Sequence, residues 1–202
     1  MTQEAVVTAD LLVPARPVAP ACSSASGGPA PSGGPVATGS SVASTGSVVT
    51  ADSEPRWLSS PEMAAWLNLT QLLMLLPSAL DRQLRDDAGI PHAYYQILAM
   101  LSNDPSRSMR MTDLARMVGT TTSRLSHAVA SLEQRGWVIR QACSFDRRGQ
   151  IASLTDAGMA VLAAAAPGHV AEVRRLIFDN LSEAEVEQLR AITGKILPAV
   201  TA

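Results

Sequence analysis

The side chains in this sequence whose types and spacing suggest chemistry are hydroxyls and guanidiniums gathered into one short segment. Thr121, Thr122, Ser123, Arg124, Ser126 and His127 stand almost side by side, and Asp146, Arg147, Arg148 and Gly149 follow in a single run. Short hydroxyls, an imidazole and guanidiniums are what hydrogen bonding to phosphate oxygens and base edges requires. Nothing among them pairs a nucleophile with a base, and no paired carboxylates or phosphate-cradling glycine loop accompany them. An enzyme is therefore not expected. His92, His127 and His169 share no i, i+3 or i+4 spacing, and no CxxC or HExxH occurs. No metal or other cofactor is expected either.

Two short helices must position the first group. Leu125, Ala128, Val129 and Leu132 recur at the spacing of one buried helical face. The opposite face carries Ser123, His127, Ala130 and Gln134, flanked by Ser126 and Ser131. It is small and polar, suited to the floor of a DNA major groove. Thr121 or Thr120 can cap this helix after Gly119, and Gly136 can end it. Before it, Met111, Leu114, Ala115 and Val118 repeat the buried pattern, with Thr112 placed to cap. Helix, short glycine-containing turn and helix form a helix-turn-helix.

After Gly136 the apolar period changes to two. Trp137, Val138 and Ile139, then Ile151, Ala152 and Leu154, predict two short strands, joined by a turn over CSFDRRGQ. A hairpin with arginines at its tip is a wing, and such arginines can enter a narrow minor groove where the negative potential is strongest. Asp146 reads as the partner that orients a neighbouring guanidinium. From Pro105 to Ile151 eight arginines, Arg135 among them, face three acids, a local charge of +5. The whole chain carries −2, so the remainder carries −7. An overall pI of 5.9 hides this basic segment.

The order LARMVGTTTSRLSHAVASLEQRGWVIR, DRRG and SLTDAG resembles the MarR (multiple antibiotic resistance regulator) family of winged helix-turn-helix proteins, over roughly Trp57 to Leu197. Asp146-Arg147-Arg148-Gly149 fits the family's Asp-x-Arg wing motif, with Arg148 as the minor-groove residue. Ser123, Arg124 and Ser126 match its recognition helix. The resemblance implies a mainly α fold with a two-stranded β-wing and with N- and C-terminal helices forming a dimerisation region. It implies a homodimeric regulator of transcription, usually a repressor, on double-stranded DNA. Two-fold symmetry would place its recognition helices in successive major grooves, on an inverted repeat with half-sites about 10 bp apart or a multiple of that. Family members often bind small phenolic or other aromatic anions. Trp66, His92, Tyr94, Tyr95 and Met100 are the candidates to line such an effector pocket, although the same spacing suits ordinary core.

Residues 1–55, rich in Ala, Ser, Gly and Pro, show no apolar period and predict a flexible tail. They lack the basic start and apolar run of a secretory signal. No sufficiently apolar stretch for a membrane span is expected, and the setting is cytoplasmic, associated with the nucleoid. The folded domain is predicted over 56–202, with dimerisation helices over 57–88 and 155–198 around the DNA-binding segment 109–154. Ser60 and Pro61 open the first helix, which has a bend at Pro77 and more apolar residues than one core face needs. That surplus suggests a subunit interface. Asp86, Asp87 and Gly89 end it, and Tyr94, Ile97, Leu98 and Leu101 form the core face of the next helix. Thr155 opens a long Ala-rich helix expected to bend or break at Pro167-Gly168, and Ser182 with Glu185 makes a capping box for the last one.

Cys22 lies in the tail and Cys143 in the first wing strand, too far apart to frame a disulfide. Arg140, Arg147 and Arg148 near Cys143 would favour its thiolate, so a redox-sensing regulator is one alternative. A plain strand residue is the other reading of Cys143, since peroxide-sensing relatives carry their cysteine near the first helices. A winged helix that binds protein in place of DNA is a further alternative, opposed by the +5 segment.

Overall fold

A computed structural model describes residues 55–143 and 146–201, with backbone alone at 143 and 146–148. The predicted tail with Cys22, and Ser144 and Phe145 of the wing turn, lie outside the described residues. So do the side chains of Cys143, Asp146, Arg147 and Arg148. The described chain divides between two compact units, 55–71 and 72–201.

Helix α1 runs Ser60–Ala88 without a break at Pro77. Its cap is Ser59, one residue before the expected Ser60. The Glu62 carboxylate accepts from the Ser59 N–H at 2.8 Å, and the Glu62 N–H points back at the Ser59 hydroxyl at 3.4 Å. This capping box is a local i, i+3 arrangement, so Pro61 stands inside the first turn. Residues 63–80 contain no charged side chain. Over 18 residues α1 reaches a mean hydropathy of 1.4, so by length and composition alone it is long and apolar enough to cross a membrane. That amends the expectation that no stretch qualifies, because Asn68, Thr70 and Gln71 interrupt the apolar run without lowering its mean enough.

Helices α2 (His92–Ser102), α3 (Met111–Met117) and α4 (Thr122–Gln134) pack their apolar stripes into one core. Leu84, Leu98, Leu101, Leu114, Leu125, Val129 and Leu132 are all essentially inaccessible there. Thr112 does not cap α3. The capping position is Arg110, with no side-chain bond, because a strand precedes the helix directly.

That strand, β1 (Ser108–Arg110), was not legible in the sequence. It joins β2 (Val138–Cys143) and β3 (Asp146–Leu154) in an antiparallel sheet ordered β1-β3-β2, so the expected two-stranded wing stands on a three-stranded base. Three residues are too few to show a period of two, and their pairing partners lie far along the chain. Met109 opposes Ala152, both buried, and the Ser108 hydroxyl donates to Ser153 Oγ at 2.7 Å. The expected turn over 143–150 is also shorter than read. Asp146, Arg147 and Arg148 belong to β3, with a register shift between Ala142 and Cys143 that pairs Cys143 with Asp146.

Helix α5 (Asp156–Leu176) is unbroken at Pro167-Gly168, and its interruption falls at Ile177, before a 3-10 turn at Phe178–Asn180. Gly158, Leu162, Ala165 and His169 form its buried stripe. Helix α6 (Glu183–Thr201) begins with the expected box, in which Ser182 N–H donates to Glu185 at 2.8 Å. It buries no residue.

Candidate nucleic-acid interface

The outer face of α4 is built as its spacing requires. Leu125, Val129 and Leu132 are buried, while Thr121, Thr122, Ser123, Arg124 and His127 are exposed and Ser126 is half-buried. Thr121 caps the helix by accepting from the Arg124 N–H at 3.3 Å, so its hydroxyl oxygen is already engaged. Ser126 donates its hydroxyl to the Thr122 carbonyl at 2.8 Å, which leaves the oxygen lone pairs facing out. Arg135 lies at the opposite end of α4, about 16 Å from Arg124 along the axis. Its guanidinium covers the rings of Trp137 at 5.0 Å and Tyr94 at 5.7 Å. Such contacts engage the plane of the guanidinium, and its N–H edges can still donate.

The wing starts where α4 ends. Gly136, at φ +72°, reverses the chain in a conformation that L side chains rarely adopt. Glu133 then ties the helix to β2. Its carboxylate accepts from the Arg140 backbone N–H at 3.0 Å and from Arg140 Nε at 2.7 Å, with both side chains about a quarter exposed. Two residues counted only as charges in the sequence therefore fix the wing's attitude to the recognition helix.

Between the first turn of α4 and the root of the wing lies a cleft of about 440 Å3, lined by Arg110, Thr112, Thr122, Ser126 and Gln150, among others. Arg110, Thr112 and Gln150 were missed as interface residues. Arg110 opposes Ile151, next to Gln150, only through the β1–β3 register. No local pattern announces that neighbourhood.

The effector candidates separate. His92 and Tyr95 meet around His169, a residue of α5 that no sequence pattern tied to them. The His169 ring lies 4.3 Å from that of Tyr95 and 5.6 Å from that of His92. His169 is 5% exposed and Tyr95 1%, and neither His169 Nδ1 nor Tyr95 Oη has a hydrogen-bond partner among the described residues. Burial pushes the His169 imidazole down to about 4, helped by His92, and pushes the Tyr95 phenol up to about 12. Burial also lowers His92, against the pull of the Asp81 carboxylate, which accepts from the His92 backbone N–H at 2.9 Å. Met100 packs half-buried against the core. Trp66 belongs to the smaller unit and is 53% exposed. Among the described residues no cluster of three or more His, Cys, Asp or Glu is placed to hold a metal.

A helix-turn-helix with a polar outer face and a hairpin wing defines a winged-helix protein. Residues 88–149 match the MarR family. Sco3205 of Streptomyces coelicolor, a MarR family transcriptional regulator solved in complex with DNA, is 47% identical. The match covers 73% of this chain and 92% of that one, with a TM-score of 0.68. AbsC, a MarR family regulator of the same organism, is 35% identical over 72% of this chain and 97% of its own, with a TM-score of 0.66. The transcriptional repressor MprA of Escherichia coli K12 is 28% identical over 132 residues, covering 64% of this chain and 74% of MprA. The chain belongs to the MarR family and is a winged helix-turn-helix transcriptional regulator.

Proposed function

We propose that this regulator is a homodimeric repressor that binds an inverted repeat in duplex DNA and answers to a small aromatic anion. The observation that carries the DNA reading is the exposed polar face of α4 beside a cleft that ends at the wing. In this reading Ser123, Ser126 and His127 meet base edges in the major groove, and Arg148 enters the minor groove. Thr121, Thr122, Arg124, Arg135 and Arg147 meet phosphates, with Asp146 orienting a wing arginine. The strand of phosphates that separates the two grooves would cross the cleft, bringing Arg110, Thr112 and Gln150 into contact. The 47% identical Sco3205, whose structure contains DNA, supports this reading, and MprA, a repressor, supports the direction of control.

The dimer rests on uncovered apolar surface. Leu73, Met74 and Leu75 of α1 are 62%, 75% and 60% exposed, and Ile192, Leu197 and Val200 of α6 are 53%, 56% and 76% exposed. Apolar surface left open on this scale along a helix calls for a partner. A second copy is the partner assigned here. The reading as a DNA-binding regulator, for its part, places the protein with its DNA in the cytoplasm and gives it no enzymatic role. The effector site is assigned to His92 and Tyr95 around His169, where two orphaned polar atoms are buried beside aromatic rings.

The test is binding of the purified protein to the intergenic DNA beside its own gene, titrated at two salt concentrations. Tight, selective binding that weakens steeply with salt is expected, because each phosphate contact releases counterions. Sequence-blind binding at both concentrations would reject the repressor reading.

A further inference from the structure

The start of α5 and the end of α4 are fastened by a knot of hydrogen bonds centred on Thr155. Its hydroxyl donates to the Gly136 carbonyl at 2.7 Å and accepts from the Gly158 N–H at 3.0 Å. Its own N–H donates to the Trp137 carbonyl at 3.1 Å. One residue before, the Leu154 N–H donates to the carbonyl of Arg107, a non-glycine residue at φ +50°. The fit is tight as well as bonded, since a Cβ on Gly158 would lie 2.2 Å from the Trp137 carbonyl oxygen. Gly136 and Trp137 are the turn that ends the recognition helix, so the first turn of α5 is locked to that turn directly.

Helix α5 touches the rest of its unit at a second place, through Leu162, Ala165 and the His169–Tyr95 contact. Two separated attachments fix a direction where one would leave a pivot. In a two-fold dimer, the direction of α5 relative to α4 sets the distance and tilt between the two recognition helices. That separation must match one helical repeat of DNA or a multiple of it.

We propose that Thr155 is a positioning residue that sets the half-site spacing the dimer accepts, acting through Gly136 and Trp137 and touching no DNA itself. The proposal rests on the dimeric reading above. Removing the hydroxyl keeps the shape of the side chain and cuts both side-chain links. Thr155→Val should therefore widen the range of accepted spacings, and Thr155→Ser, which keeps the links, should not.

The experiment is selection from a pool of random-sequence duplexes by full-length wild type, Thr155→Val and Thr155→Ser, each first checked for fold and mass in solution. Wild type should recover inverted repeats of a single spacing. Thr155→Val should recover the same half-site sequence at several spacings, and bind the wild-type duplex about tenfold more weakly. Thr155→Ser should restore both properties. A folded dimeric Thr155→Val with the single wild-type spacing overturns the proposal while leaving the dimer reading intact. A wild type that recovers no inverted repeat removes both together. Should Thr155→Val not fold, hydrogen exchange in the wild-type protein decides. Thr155 and Gly158 amides as slow as those of central strand β3 support the knot, and loop-like exchange overturns it.

Discussion

At the scale of single residues, the interface depends on side chains whose neighbours do different work. Arg124 and His127 project from α4 while Leu125 between them is 1% exposed. Arg148→Ala should weaken operator binding by about 1–3 kcal/mol and flatten its salt dependence, whereas Gln188→Ala on α6 should change neither. Titration of both variants against one duplex at several salt concentrations measures the difference, and equal affinities would remove the wing assignment. Gly158 gives a prediction in which two effects oppose each other. Helix propensity favours alanine over glycine by about 1 kcal/mol. A methyl group 2.2 Å from the Trp137 carbonyl oxygen requires backbone movement, so the collision prevails. Gly158→Ala should lose about 2–3 kcal/mol in denaturant unfolding, where a gain would show that the α5 joint yields freely.

At the scale of elements, the contact between α2 and α5 carries a pH dependence. His169 of α5 faces His92 and Tyr95 of α2 and, from α1, Asp81 through His92. Glu172, one turn along α5, is held by Arg175 at 2.7 Å. Because burial holds the His169 pKa near 4, below its ordinary 6.5, the unfolded chain binds more protons than the folded one between those values. The stability associated with neutral His169 is therefore complete above pH 6.5 and is lost as the pH falls towards 4. His92 is shifted in the same direction and adds to the loss. Unfolding midpoints should fall from pH 7 to pH 5, and His169→Phe, which cannot take up the proton, should fall less. An equal fall in both proteins would show that other groups govern the acid limb. The ion pair of Glu133 with Arg140 belongs to this scale too, since, with the backbone hydrogen bond beside it, it joins helix to wing.

At the scale of the whole molecule, what stands out is the contrast between a closed core and open terminal helices. The side chains of α2 to α5 bury one another, but α6 buries none of its own. Ile192→Glu should leave the winged-helix unit folded, because Ile192 is 53% exposed and loses no neighbour that holds that core. In sedimentation the variant should shift from dimer towards monomer and lose operator affinity with it, since two half-sites would no longer be bound by one particle. An unaltered dimer would move the interface away from α6. Persistent association of the wild type with lipid vesicles would instead assign the apolar face of α1 to a bilayer.

The sequence by itself determined whatever repeats or closes within a few residues. The stripe of Leu125, Val129 and Leu132, the Ser182–Glu185 box, the turn at Gly136 and the basic segment were all legible, because helix periodicity, caps and charge density are local properties. Locality also explains the near miss at the first cap, where Ser59, next to the expected Ser60, fills the same role. Only the tertiary structure decided the rest. Strand β1 exists because Ser108–Arg110 finds Ile151–Ser153, and the cleft exists because that pairing sets Arg110 near Gln150. Likewise His169 acquires its depressed pKa from residues on another helix, and Thr155 reaches back to Gly136 across the whole wing. These are contacts between distant parts of the chain, whose formation depends on how complete elements pack, and no pattern confined to one element encodes them.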